Sequence, residues 1–99
     1  MPKTAQAVYD EIVSHINKQG GPKSSWYAGI TDDLDRRVHQ EHKVPRENHW
    51  LITRQCNSDE ESRAVENALL ELGCDGGWGG GTDDSVYVYA YLKNSVTDP

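Results

Sequence analysis

The residues best suited to chemistry in this 99-residue chain gather between positions 36 and 54. Arg36, Lys43, Arg46 and Arg54 are cationic, His39, His42 and His49 stand among them, and Trp50 adds one aromatic surface. Such a strip suits phosphate. A guanidinium presents a fork matched to phosphate oxygens, and imidazole exchanges a proton near neutral pH. The same strip also serves as an ordinary solvated face. Zinc fits it poorly: His39 and His42 are three residues apart, but no Cys or acid completes a recognised ligand set. The segment 76–81, Gly-Gly-Trp-Gly-Gly-Gly, invites comparison with a phosphate-binding loop. It lacks the Lys-Ser/Thr ending, and a strand follows it where a helix N-terminus is needed. A connector is expected there, with Trp78 anchoring it on the core or touching a partner. Cys56 and Cys74 have no CxxC spacing and read as two reduced thiols.

The elements that must hold these residues are legible from pattern. Thr4 caps a helix over 5–19, in which Ala5, Val8, Tyr9, Ile12, Val13 and Ile16 recur at helical spacing, and Gly20-Gly21-Pro22 stops it. Residues 25–31 read as a strand, and Gly29 within it implies that another backbone or a ligand comes close. Thr31, Asp32 and Asp33 open a second helix over about 33–43, which Pro45 ends. Residues 50–56 form a second strand. Ser58 and Glu61 make a capping box for a helix to Leu72, with Val65, Ala68, Leu69 and Leu72 as its buried stripe and Gly73 as its stop. Residues 85–92 form a third strand whose alternation puts Tyr87, Tyr89 and Tyr91 on one face and Val86, Val88, Ala90 and Leu92 on the other. The order is α-β-α-β-α-β. One domain over 1–99 is expected, an α/β (α+β) fold with a small three-stranded sheet flanked by helices.

On these elements the segment Trp26-Tyr27-Ala28-Gly29-Ile30-Thr31, with Arg37 ten residues after Tyr27, resembles the YIG half of the GIY-YIG nuclease superfamily. Downstream, a strand followed by a helix carrying Glu66-Asn67-Ala68 is similar to the family's next strand and metal-bearing helix. The two matches cover residues 25–72. The family's first strand is replaced in sequence by the N-terminal helix, while Ser85-Val86-Tyr87 near the C-terminus resembles Gly-Ile-Tyr. A circular permutation is therefore expected, and it requires strand 85–92 to pair with strand 25–31. The resemblance implies a catalytic group of Tyr27, Arg37, Tyr87 and His42, the last displaced by one residue from the family's common position. It also implies Glu66 as the ligand of one Mg²⁺ or Mn²⁺. Arg36, His39, Lys43, Arg46, Trp50 and Arg54 would then contact nucleic acid. Tyr27 or Tyr87 would position the attacking water and act on its proton. Without the resemblance, Tyr27 reads as a half-buried strand aromatic, Arg37 as a partner of Glu41 or Asp33, and Glu66 as a helix-surface carboxylate on the flank of the apolar stripe.

Charge weighs on the choice of partner. The net charge is −6. Residues 1–54 carry eight Lys/Arg against seven Asp/Glu, and residues 55–99 carry two against nine. An isolated acidic domain binds nucleic acid weakly, because phosphate contacts dominate affinity, so a protein partner or a homodimer is expected to assist. No apolar run approaches the length of a bilayer span, and the first residues lack a signal peptide's apolar core; the expectation is a cytoplasmic protein without a membrane. Two other functions share these features. One is an inactive GIY-YIG-like binding or regulatory protein. The other is an acidic interaction module whose face 57–84 meets a basic partner.

Overall fold

Capping residues set the two long helices of the computed structural model, which describes residues 2–45, 50–76, 85–94 and 97. In helix α1 (Ala5–Gln19) the Thr4 hydroxyl accepts the Ala7 N–H at 3.2 Å, and Val8, Ile12 and Ile16 are buried. Gly20, at φ 84°, ends it and donates to the Ile16 carbonyl. In helix α2 (Asp59–Leu72) the Ser58 hydroxyl accepts the Glu61 N–H, and Asp59, Glu60 and Glu61 place negative charge where the helix dipole favours it.

Strands β1 (Trp26–Thr31), β2 (Ile52–Gln55) and β3 (Tyr87–Leu92) form one antiparallel sheet in the order β1-β3-β2. The fold is α+β, with a three-stranded sheet flanked by helices. Each strand is shorter than the sequence suggests, although one backbone bond, from Cys56 N–H to the Val86 carbonyl, carries the β2–β3 pairing a residue further, and Lys3 bridges to Cys56. Each outer strand also bonds a passing segment: the Asp75 backbone exchanges hydrogen bonds with Trp26 and Ala28 of β1, and Lys3 N–H donates to the Gln55 carbonyl at the end of β2, which leaves fewer edge groups open to intermolecular pairing.

The register decides which residues meet. Tyr27 lies opposite Tyr91, Gly29 opposite Tyr89 and Thr31 opposite Tyr87. The other face carries Trp26, Ala28, Ile30, Ile52, Val88 and Ala90, which pack with Val8, Ile12, Ile16, Val65 and Leu69 of the two helices. The tyrosine face has its own smaller core with Val38 and Val44, against which Tyr27, Leu34 and Leu51 rest.

Two sequence expectations are corrected. The segment 33–43 is not a regular α-helix; Asp35–Glu41 is a π-helix. Its exit is wide: His42 N–H donates to the Arg37 carbonyl five residues back, and Val44 N–H to the Val38 carbonyl six back. Lys43 takes the left-handed conformation, φ 60°, to make this exit. The buried side of α2 is also rotated from the expected stripe. It consists of Ser62, Val65, Glu66 and Leu69, while Leu72 is 38% exposed. Ser62 Oγ has the Ser85 carbonyl among its acceptors, which ties that side of the helix to the segment entering β3, and apolar spacing carries no sign of it.

Candidate active site

Gly29 is where the site begins. A Cβ there would come 2.6 Å from Tyr89 Cζ. The close approach implied by this glycine is therefore made by a side chain, with the Tyr89 ring lying across the β1 backbone. Tyr89 is thus directed toward the π-helix, and its neighbours come from three elements. His42, 3% exposed, sits between two phenols, with Nε2 2.9 Å from the Tyr89 hydroxyl and Nδ1 3.1 Å from that of Tyr91. A neutral imidazole can donate to one hydroxyl and accept from the other. Arg37 Nε–H donates to the Tyr89 hydroxyl at 3.4 Å. Tyr27 closes the group, 4.8 Å from His42 and 5.5 Å from Tyr91 between ring centroids.

The tyrosines are held protonated. Burial raises the Tyr27 hydroxyl above the usual phenol range, with Arg37 pulling the other way. Burial pushes Tyr89 up to about 12 and Tyr91 further still. At neutral pH these phenols donate and accept hydrogen bonds; they do not act as free bases. Arg37 is fixed as a cation by its bond to Glu41. Its Nη1 lies 2.6 Å from Glu41 Oε1.

Glu66 lies on α2, which packs on the opposite face of the sheet from the tyrosines. It is 4% exposed, where the sequence suggests a flank position. Burial raises its carboxyl to about 7, against a smaller opposing effect of Arg63. Its charge adds a minor upward push on the Tyr27 and Tyr89 hydroxyls, after burial and the effects of Arg37. A buried carboxylate without a compensating charge strong enough to keep it ionised suits a cation. A single hard oxygen donor suits Mg²⁺, which takes few protein carboxylates and retains several waters. Among the described residues no group of three or more His, Cys, Asp or Glu is placed to hold a metal.

The remaining sequence candidates are scattered. Tyr87 shares the tyrosine face but lies at the start of β3, opposite Thr31 and Gln55, outside the group around His42. Arg36 is exposed on the π-helix and paired with Asp32 and Glu41. His39 donates through Nδ1 to the Val44 carbonyl at 2.8 Å, a bond that helps close the π-helix exit. Lys43 is exposed and Trp50 half-buried. Arg54 faces α1, where it pairs with Glu11 at 2.7 Å, and it is on the opposite side of the sheet from Arg36. A continuous basic strip from Arg36 to Arg54 is therefore not formed. Arg46, His49 and Trp78 lie outside the described residues. Tyr89 and Tyr91 were not expected at the site. Their signal was present in the alternation of β3, but choosing among its three tyrosines required the register against Gly29.

No protein family, curated protein or solved structure matches this chain. Among the described residues no helix is long and apolar enough to cross a membrane.

Proposed function

We propose that the chain is a circularly permuted, GIY-YIG-like, Mg²⁺-dependent phosphodiesterase acting on nucleic acid. The observation that carries this reading is the meeting of Tyr27, Arg37, His42 and Tyr89 on one sheet face, with the Glu66 charge acting on two of them. The antiparallel pairing of β3 with β1 adds support, since a permuted first strand has to return to that position.

In this reading Arg37, permanently charged, binds non-bridging phosphate oxygens and offsets the negative charge that grows in the transition state. Tyr27, half-buried and protonated, orients the attacking water or a phosphate oxygen by hydrogen bonding. Tyr89 holds Arg37 from beneath, and His42 fixes Tyr89 and Tyr91 in place. Glu66 would hold the cation, which would supply Lewis-acid stabilisation of the scissile oxygens. With one half of the sequence strongly acidic and Arg54 turned away from the site, the domain alone grips nucleic acid weakly. A protein partner or a second copy would supply the missing contacts. Two buried free thiols, Cys56 and Cys74, suit a reducing cytoplasm.

The test is nicking of supercoiled plasmid and cleavage of single-stranded RNA with Mg²⁺ and with EDTA. Wild type is compared with Glu66→Gln and Arg37→Ala, each checked for folding. Cleavage that needs Mg²⁺ and disappears in both variants supports the assignment. No cleavage by well-folded wild type at high concentration overturns it in favour of a binding protein on the same scaffold.

A further inference from the structure

The π-helix brings Arg36 onto the carboxylate that Arg37 already pairs with, Glu41. In α-helical winding, residues five apart point about 140° away from each other. Hydrogen bonding from i to i+5 widens each turn and narrows that angle. Arg36 and Glu41 are five apart, and Arg36 Nε lies 3.4 Å from Glu41 Oε2. Arg37 Nη1 lies 2.6 Å from the other oxygen, Oε1. Asp35 and Gln40, also five apart, are hydrogen-bonded at 3.3 Å. One carboxylate thus sits between two guanidinium groups, each contacting a different oxygen. Both arginines are anchored from behind, Arg36 by Asp32 at 2.9 Å and Arg37 by the Tyr89 hydroxyl.

A carboxylate and a phosphate present similar oxyanion edges to a guanidinium. We propose that Arg36 and Arg37 form a two-arginine clamp for a nucleic-acid phosphate, and that the Glu41 carboxylate holds the anion position until the phosphate displaces it. The inference rests on the nuclease reading for the identity of the anion, and it adds Arg36 and Glu41 to that site as binding and gating residues. Displacement is feasible because the pair is at the surface: the Arg36, Arg37 and Glu41 side chains are 49%, 40% and 43% exposed. Solvent-exposed ion pairs of this kind are weak. The clamp is therefore closed by a contact that a polyanion can outcompete. Glu41 also imposes selectivity, because a weakly charged ligand gains too little from the arginines to replace it.

The test is fluorescence anisotropy of a labelled short single-stranded DNA at low salt, with wild type, Glu41→Gln and Glu71→Gln. Glu71 is an exposed acid on α2, so the two variants remove the same charge at different places. Glu41→Gln is expected to bind about fivefold more tightly, the scale set by relief of one exposed pair, while Glu71→Gln stays close to wild type. Adding Arg36→Gln to Glu41→Gln should abolish the gain. In wild type, titration with inorganic phosphate should shift the Nε–H resonances of Arg36 and Arg37 together and leave that of Arg54 in place. Equal gains from Glu41→Gln and Glu71→Gln would overturn the clamp, as would no gain from Glu41→Gln. Tighter binding by Glu41→Gln with no cleavage by any form upholds the clamp and removes the nuclease reading. Cleavage by wild type with binding unchanged in Glu41→Gln does the reverse.

Discussion

Replacing Glu66 with Gln should make the protein more stable at alkaline pH and leave it nearly unchanged in acid. The Glu66 carboxyl titrates at about 7 in the fold, against 4.5 for an ordinary glutamate, because burial disfavours its charged form. The folded state therefore binds more protons than the unfolded state between these values, and stability falls as pH rises through that window. At about 1.4 kcal/mol per pH unit, the full loss is about 3 kcal/mol, nearly all of it present by about pH 8. Near pH 6 the loss is about 2 kcal/mol, and near pH 4 it is close to zero. Glutamine mimics the protonated carboxyl and does not titrate, so the variant lacks this slope. Urea unfolding of both proteins across the range gives the difference directly. Carboxylates held low by cationic partners, Glu11, Glu41 and Asp75, lose their contribution as pH falls; they are common to both proteins and cancel. Mg²⁺ at about pH 8 should restore part of the loss in wild type and do nothing for the Glu66→Gln variant. Parallel stability curves for the two proteins would refute the reasoning, because Glu66 would then be as well solvated in the fold as in the unfolded chain.

Three further outcomes follow from the geometry. Gly29→Ala drives a methyl group into the Tyr89 ring and should cost about 1–3 kcal/mol in urea unfolding, as overpacked sites do, with a shift of the Tyr89 ring resonances. His42→Phe removes the imidazole partner of two buried phenols; a loss of about 2–4 kcal/mol is expected, given about 1–3 kcal/mol for each buried polar group left unpaired. Lys43→Gly relieves a left-handed residue at the end of the π-helix and should raise stability by up to about 1 kcal/mol, offset in part by glycine's greater freedom in the unfolded chain; a lower urea midpoint would show that the Lys43 backbone is not strained.

The elements whose signals are local were legible in the sequence. Thr4 and Ser58 as caps, Gly20 and Gly73 as stops, and the alternation of β3 are short-range features, and each appears in the fold. The π-helix was not legible. Leu34 and Val38 on one face suit an α-helix as well, and the wider winding is fixed by contacts after the segment, the Val44 carbonyl on His39 and the packing of Val38 and Val44 on the tyrosines. At the site, Tyr27, Arg37 and His42 were nominated and are found together. Glu66 was placed on a flank because helical angles measure distance from an apolar stripe. Glu66 is buried on the side of α2 that Ser62 ties to Ser85. The selection of Tyr89 and Tyr91 ahead of Tyr87 is a matter of long-range register, which no single strand encodes.

The strand order has a consequence for how this chain is made. β3 is the central strand, yet it is the last of the three to leave the ribosome. Until it emerges, β1 and β2 have no neighbour in the sheet, because neither pairs with the other. Nascent chains stopped before Tyr87 carry helices with an apolar face and two strands that lack their shared central partner, a form open to chaperones and to misassembly. The last strand also delivers Tyr89 and Tyr91 to His42. Completion of the sheet and the meeting of Tyr89 and Tyr91 with His42 are consequently one event.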